Sequence, residues 1–146
     1  ELAARFLAFS DPNLIYAGDL KKFLDELCKR YNTEMADNEE AIEAVNSRLA
    51  NMNDAIAAGM IVFPDRKFCR KFVDGQYESR FNRALFDVLI GALANPGVRD
   101  WAINNPAEFV VGFEQTSATD SFRRAVETTT KSVTSTRTRF ASFYAK

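Results

Sequence analysis

Residues 79–94 decide the fold class: Ser79-Arg80-Phe81-Asn82-Arg83-Ala84-Leu85-Phe86-Asp87-Val88-Leu89-Ile90-Gly91-Ala92-Leu93-Ala94. Phe81, Leu85, Val88 and Leu89 recur at helical spacing and form one apolar face, with Ala84 and Ala92 between them. Phe86, Ile90 and Leu93 add a second apolar face, and only Asn82, Arg83 and Asp87 leave a polar strip. A helix that is apolar around most of its girth belongs inside a domain. The spacing therefore predicts a central helix over 79–94 in an all-α fold. Arg83 and Asp87 stand four apart, placed to pair across one turn. Asn82 and Arg83 either tie helices together in a polar network or line an interdomain groove.

Working outward toward the N-terminus, residues 1–9 read as a helix stopped by Ser10-Asp11-Pro12. Asp19 can cap the next helix, whose stripe is Leu20, Phe23, Leu24, Leu27, Cys28 and Tyr31, with Lys22, Glu26 and Arg30 on the other face. Asp37 followed by Glu40 suggests a capping box. The helix it opens carries Ile42, Val45, Leu49, Met52 and Ile56, a narrow seam suited to a neighbouring helix, and Gly59 reads as its stop. Ile61-Val62-Phe63-Pro64 reads as an extended connector, with no strand expected elsewhere. Arg66–Val73 reads as a short helix ended by an Asp74-Gly75 turn.

Toward the C-terminus, Asn95-Pro96 and Asn105-Pro106 each place a cap residue before a proline suited to the first helical position. Thr119 can cap a helix bearing Phe122, Ala125 and Val126, and a last helix carries Val133, Arg137, Phe140 and Tyr144 along one side. The expectation is one α-helical domain over 1–146 with roughly seven or eight helices, cut from a longer multidomain protein.

Composition narrows the chemistry. The chain has 146 residues, long enough to bury about two-thirds of its unfolded surface without a disulfide or metal. Thirteen phenylalanines supply core material. There is no histidine, which excludes a Ser-His-Asp or Cys-His nucleophile and a His-based zinc site within the chain. Cys28 and Cys69 are too few for a four-thiolate site and read as buried free thiols. No cofactor is expected, because no Gly-rich phosphate loop is present. The longest uncharged apolar stretch, Ala55–Phe63, is nine residues, short of the ~20 that span a bilayer. With no signal peptide in view, a cytoplasmic location and no membrane partner are expected.

Charge is unevenly spread. Residues 1–60 carry 11 acids and 6 bases, and residues 61–146 carry 9 acids and 13 bases. The excess of bases in the C-terminal half reads either as an ordinary solvated, solubilising surface or as a pointer to an anionic partner. Its candidate nucleic-acid-binding residues are Arg66, Lys67, Arg70, Lys71, Arg80, Arg83, Arg123, Arg124, Lys131, Arg137 and Arg139. Gathered by the fold, they could neutralise several phosphates. Adjacent acids such as Asp25-Glu26 and Glu39-Glu40 point apart on a helix and make poor acid–base pairs, so no catalytic residue is assigned.

The run Arg80-Phe81-Asn82-Arg83-Ala84-Leu85-Phe86-Asp87 resembles a segment in the helical C-terminal part of the GmrSD-type restriction family, whose domains are also described as ParB- or sulfiredoxin-like. Glu1–Ala8, Leu20–Asp25 with Tyr31-Asn32, Phe63–Phe68, Phe109–Phe113 and Thr130–Val133 with Arg137 resemble further landmarks, so the likeness extends over nearly the whole chain. The resemblance implies a phage-defence protein in which an N-terminal nucleotide-binding or ParB-like domain precedes this one. It also implies a His-dependent nuclease domain elsewhere in many members. Asp74-Gly75-Gln76-Tyr77 departs from the family's Asp-Gly-Gln-Gln-Arg motif and lies in another region, so no catalytic role carries over. The expected function is a non-catalytic helical module that supports the N-terminal domain of its own parent chain, with contact to DNA backbone open to its basic residues. The alternative is a protein–protein interaction or homo-oligomerisation module with no nucleic-acid role.

Overall fold

A computed structural model describes residues 1–127 and 131–144. In chain order the elements are α1 (Leu2–Phe9), α2 (Leu20–Glu34), α3 (Glu39–Val62), β1 (Arg70–Val73), β2 (Gln76–Phe81), α4 (Arg83–Leu93), α5 (Pro96–Asn104), α6 (Pro106–Ser117), α7 (Asp120–Glu127) and α8 (Val133–Tyr144). The fold is largely helical, with one small antiparallel ribbon, β1–β2.

That ribbon corrects the expectations for residues 60–81. Asp74 and Gly75 both have positive φ, 50° and 79°, the backbone signs of a two-residue hairpin turn whose twist matches the strands it joins. Val73 faces Gln76 and Phe72 faces Tyr77, with a register shift before Arg70 pairs with Phe81. Arg66–Val73 is therefore not a helix. Ser79–Phe81 belong to β2, and α4 begins at Arg83 behind Asn82, whose Oδ1 accepts from the Leu85 amide at 3.0 Å. The expected extended connector is instead the last turn of α3, which reaches Val62 before Phe63 and Pro64 end it.

Gly59 lies inside α3 rather than at its stop. The Phe68 ring packs so closely over it that a Cβ there would collide with the ring. Asp37 sits one residue outside the helix at φ 53°, and the cap is Asn38, whose Oδ1 accepts from the Ala41 amide at 3.1 Å. Asp19 caps α2 through the Lys22 amide at 3.0 Å. Asn95 caps α5 through Gly97 and Val98, whereas Asn105 turns its amide back to the Trp101 carbonyl at 2.9 Å. Thr119 likewise donates to the Thr116 carbonyl at 2.7 Å, and its own carbonyl accepts from Arg123.

Burial follows from these starts. α4 buries nine residues, Asp87 among them, and packs against α1, α3, α5 and α8. Two aromatic groups fill the spaces between elements. Phe63 meets Phe109 and Phe113 edge-on at 5.9 and 5.2 Å, and Phe143 reaches Phe113 at 6.3 Å. Phe9 gathers Tyr16, Phe23 and Phe140 at 5.1–5.6 Å. Met52 is buried, and Val45, Leu49 and Ile56 pack on the same core, so this part of the α3 seam is used within the chain while Ile42 stays exposed. Cys69 is buried and Cys28 is exposed, which halves the expectation for the thiols. On α8 the inward side holds Thr136 and Arg139, while Arg137 and Tyr144 are exposed, so the expected stripe is rotated.

Candidate functional site

A polar cleft of about 570 Å³ opens between α1, the ribbon, the start of α4 and the segment entering α8. Lys71 comes from β1, Arg80 from β2, Arg83 from the first turn of α4, and Lys131 from just before α8. Arg5 and Arg139 line its deepest part, only 5% and 1% exposed. Glu1, Glu78 and Glu127 are the carboxylates in the lining, so six basic side chains face three acidic ones.

The floor is held by a buried ion network. Arg5 Nε donates to Asp87 Oδ1 at 2.9 Å, Arg5 Nη2 donates to Asp87 Oδ2, and Arg139 Nη2 donates to the same oxygen at 3.4 Å. Burial pushes the Asp87 carboxyl upward, against the pull of Arg5 and Arg139. Burial also pulls the Arg139 guanidinium below its ordinary value, against the carboxylate beside it. Two guanidiniums on one carboxylate tie α1, α4 and α8 together at one point.

The expected Arg83–Asp87 pair does not form. Asp87 lies on the side of α4 packed against α1 and α8, whereas Arg83 stays at the open end of the helix and reaches Glu1 at 3.5 Å. Arg139 is also corrected: its guanidinium is buried on Asp87 and is no part of an exposed basic face.

In the walls four basic side chains meet three carboxylates. Lys71 Nζ lies 2.9 Å from Glu78 and 3.6 Å from Glu127. Arg80 and Lys131 make no ion pair among the described residues. Asn82 donates to the Val126 carbonyl at 2.9 Å and so clamps the end of α7 beside the cleft, and Tyr16 donates to the Lys131 carbonyl across the other rim.

Comparison with family models, curated proteins and solved structures finds no match.

The site must therefore be read from its residues. Of the eleven predicted basic residues, Lys71, Arg80, Arg83, Lys131 and Arg139 share the cleft. Arg66 and Lys67 precede the ribbon and Arg70 opens β1, all three outside the cleft lining. Arg70 stacks over Phe81 at 5.4 Å and Lys67 over Tyr77 at 5.3 Å. Arg123 and Arg124 lie apart on α7, the former held by Asp120 at 2.9 Å. Arg137 lines a different cavity beside Leu14, Phe23 and Phe140. Sequence reasoning missed Arg5, because a single arginine in an apolar helix carries no mark of a distant carboxylate. It also missed Tyr16, whose role depends on a contact 115 positions away.

Among the described residues no cluster of three or more Cys, Asp or Glu is placed to hold a metal ion. No helix among them is long and apolar enough to cross a membrane.

Proposed function

We propose that this chain is a non-catalytic helical module that holds the phosphate backbone of DNA through the β1–β2 ribbon and the adjoining cleft. In this reading it belongs to a restriction or phage-defence protein and supports that protein's N-terminal ParB-like domain. The observation that carries the proposal is the convergence of Lys71, Arg80, Arg83 and Lys131, from four separate places in the chain, on one cleft. Lys67 and Arg70 stack on Tyr77 and Phe81 of the same hairpin and extend the basic character of the ribbon beyond the cleft. A two-stranded ribbon also has the dimensions to lie along a DNA groove. The arrangement contacts phosphates rather than bases, and the implied binding is independent of sequence.

The test is fluorescence anisotropy of the 146-residue chain with a labelled duplex over a salt series. Four phosphates neutralised correspond to a log–log slope of about −3.6. Binding at low salt with a slope of that order supports the reading. Absence of binding at low salt, or binding indifferent to salt, contradicts it and favours the protein-interaction alternative.

A further inference from the structure

The depth of the cleft distinguishes two kinds of phosphate. Arg80 and Lys131 stand at the exposed rim, where a passing backbone can touch them. Arg5 and Arg139 stand at the bottom, both more than nine-tenths buried. A bridging phosphodiester has a sugar on each side and one negative charge, and it cannot leave the path of its backbone to enter a pocket. A phosphomonoester has a sugar on one side only. It carries close to two charges at neutral pH and offers three acceptor oxygens. At about 570 Å³ the cleft has the size of a small-ligand pocket.

The chemistry of the lining matches that ligand. Six cationic side chains against three carboxylates leave the cleft net positive, even with Asp87 engaged behind the floor. The first turn of α4 opens on the same space through Asn82, Arg83 and Ala84, and Asn82 spends its side-chain oxygen on Leu85.

We propose that this cleft seats a phosphomonoester dianion, carried by the end of a DNA strand or by a free nucleotide. The inference deepens the reading of the same site as a phosphate contact and rests on it only in requiring an anionic ligand. Arg80 and Lys131 would meet the phosphate as it enters, and Arg5 and Arg139 would set the positive potential beneath it.

The 146-residue chain is to be titrated at one fixed salt concentration with a 5′-phosphorylated duplex, the same duplex with 5′-hydroxyl ends, adenosine 5′-monophosphate, and adenosine. The expected result is a preference of about tenfold or more for the phosphorylated duplex or for the monophosphate over its unphosphorylated counterpart, the scale of one added charge-assisted hydrogen bond. A preference confined to the duplex pair names the strand end as the source, and one confined to the nucleosides names a free nucleotide. Equal, salt-sensitive affinity for both duplexes, with no monophosphate binding, overturns this inference and leaves the backbone reading standing. Monophosphate binding with no duplex binding supports this inference and removes the backbone reading. Arg80→Ser and Lys131→Ser, both at exposed positions outside the buried network, should reduce the preference while leaving the circular dichroism spectrum unchanged. An unaltered preference in the double variant also overturns the assignment.

Discussion

Arg5 on α1 and Asp87 on α4 are joined by a two-pronged hydrogen-bonded ion pair across 82 positions of sequence, and both side chains are buried. Arg139 approaches the same carboxylate from α8, so three helices that carry the cleft meet on one acid. The pair thus links packing to function: it fixes the floor on which the exposed bases stand.

Replacing Asp87 with alanine leaves Arg5 and Arg139 facing each other without their shared carboxylate. Removing one partner of a buried pair costs about 3–5 kcal/mol, because the remaining charge is stranded. Urea unfolding should show a fall of that order at neutral pH. A loss below about 1 kcal/mol, the range of an exposed pair, would contradict the role assigned to Asp87.

Gly59→Ala tests the closest approach of two elements. The added methyl must displace the Phe68 ring, and overpacking of this kind costs about 1–3 kcal/mol despite the better helix propensity of alanine. Phe68→Ala in the same chain removes the obstacle. The double variant should lose less than the two single losses together, which a double-mutant cycle measures. Additive losses would mean that Gly59 is not constrained by the ring.

The position of that glycine shows where sequence reading succeeds and where it stops. Helical periodicity and caps are local, so α2, α5 and α7 were legible from Asp19, the Asn95-Pro96 pair and the spacing of Phe122, Ala125 and Val126. Gly59 was misread as a stop because its partner, Phe68, lies beyond the end of α3. The ribbon was misread despite a local mark, since Asp-Gly between short apolar runs is a strong hairpin signal. The apolar spacing of 79–94 carried a helical reading back across Ser79–Phe81, where pairing with β1 prevails. In the site, the identity of the bases was legible and their grouping was not. Lys71, Arg80, Arg83 and Lys131 come together only through the ribbon and the approach to α8.

Gly75→Ala isolates the turn. Gly75 has φ +79°, and a Cβ there would meet nothing within 4 Å, so the cost is backbone strain alone. A non-glycine residue held in the left-handed region costs about 1–2 kcal/mol. Thermal or urea unfolding should register a loss of that size. An unchanged midpoint would show that the hairpin does not hold this turn.

Alkaline pH should weaken the fold. Burial raises the phenols of Tyr31 and Tyr77 above their ordinary value of 10.0, and for Tyr77 the hydrogen bond to Glu114 at 2.9 Å adds to it. The folded chain therefore keeps protons that the unfolded chain releases above that value, and stability falls as pH rises past it. Urea midpoints taken from about pH 8 to about pH 11 should fall at the upper end, and the fall should be shallower in Tyr77→Phe. A midpoint that rises over that interval would contradict the assignment.

The central claim is that four bases brought together by the fold neutralise phosphates as one surface. The most direct measurement is the salt dependence of duplex binding by the intact chain beside its Arg80→Ser/Arg83→Ser/Lys131→Ser variant. Removing three phosphate contacts should make the log–log slope less steep by about 2.7, with folding unchanged by circular dichroism. Identical slopes for the two proteins would contradict the claim.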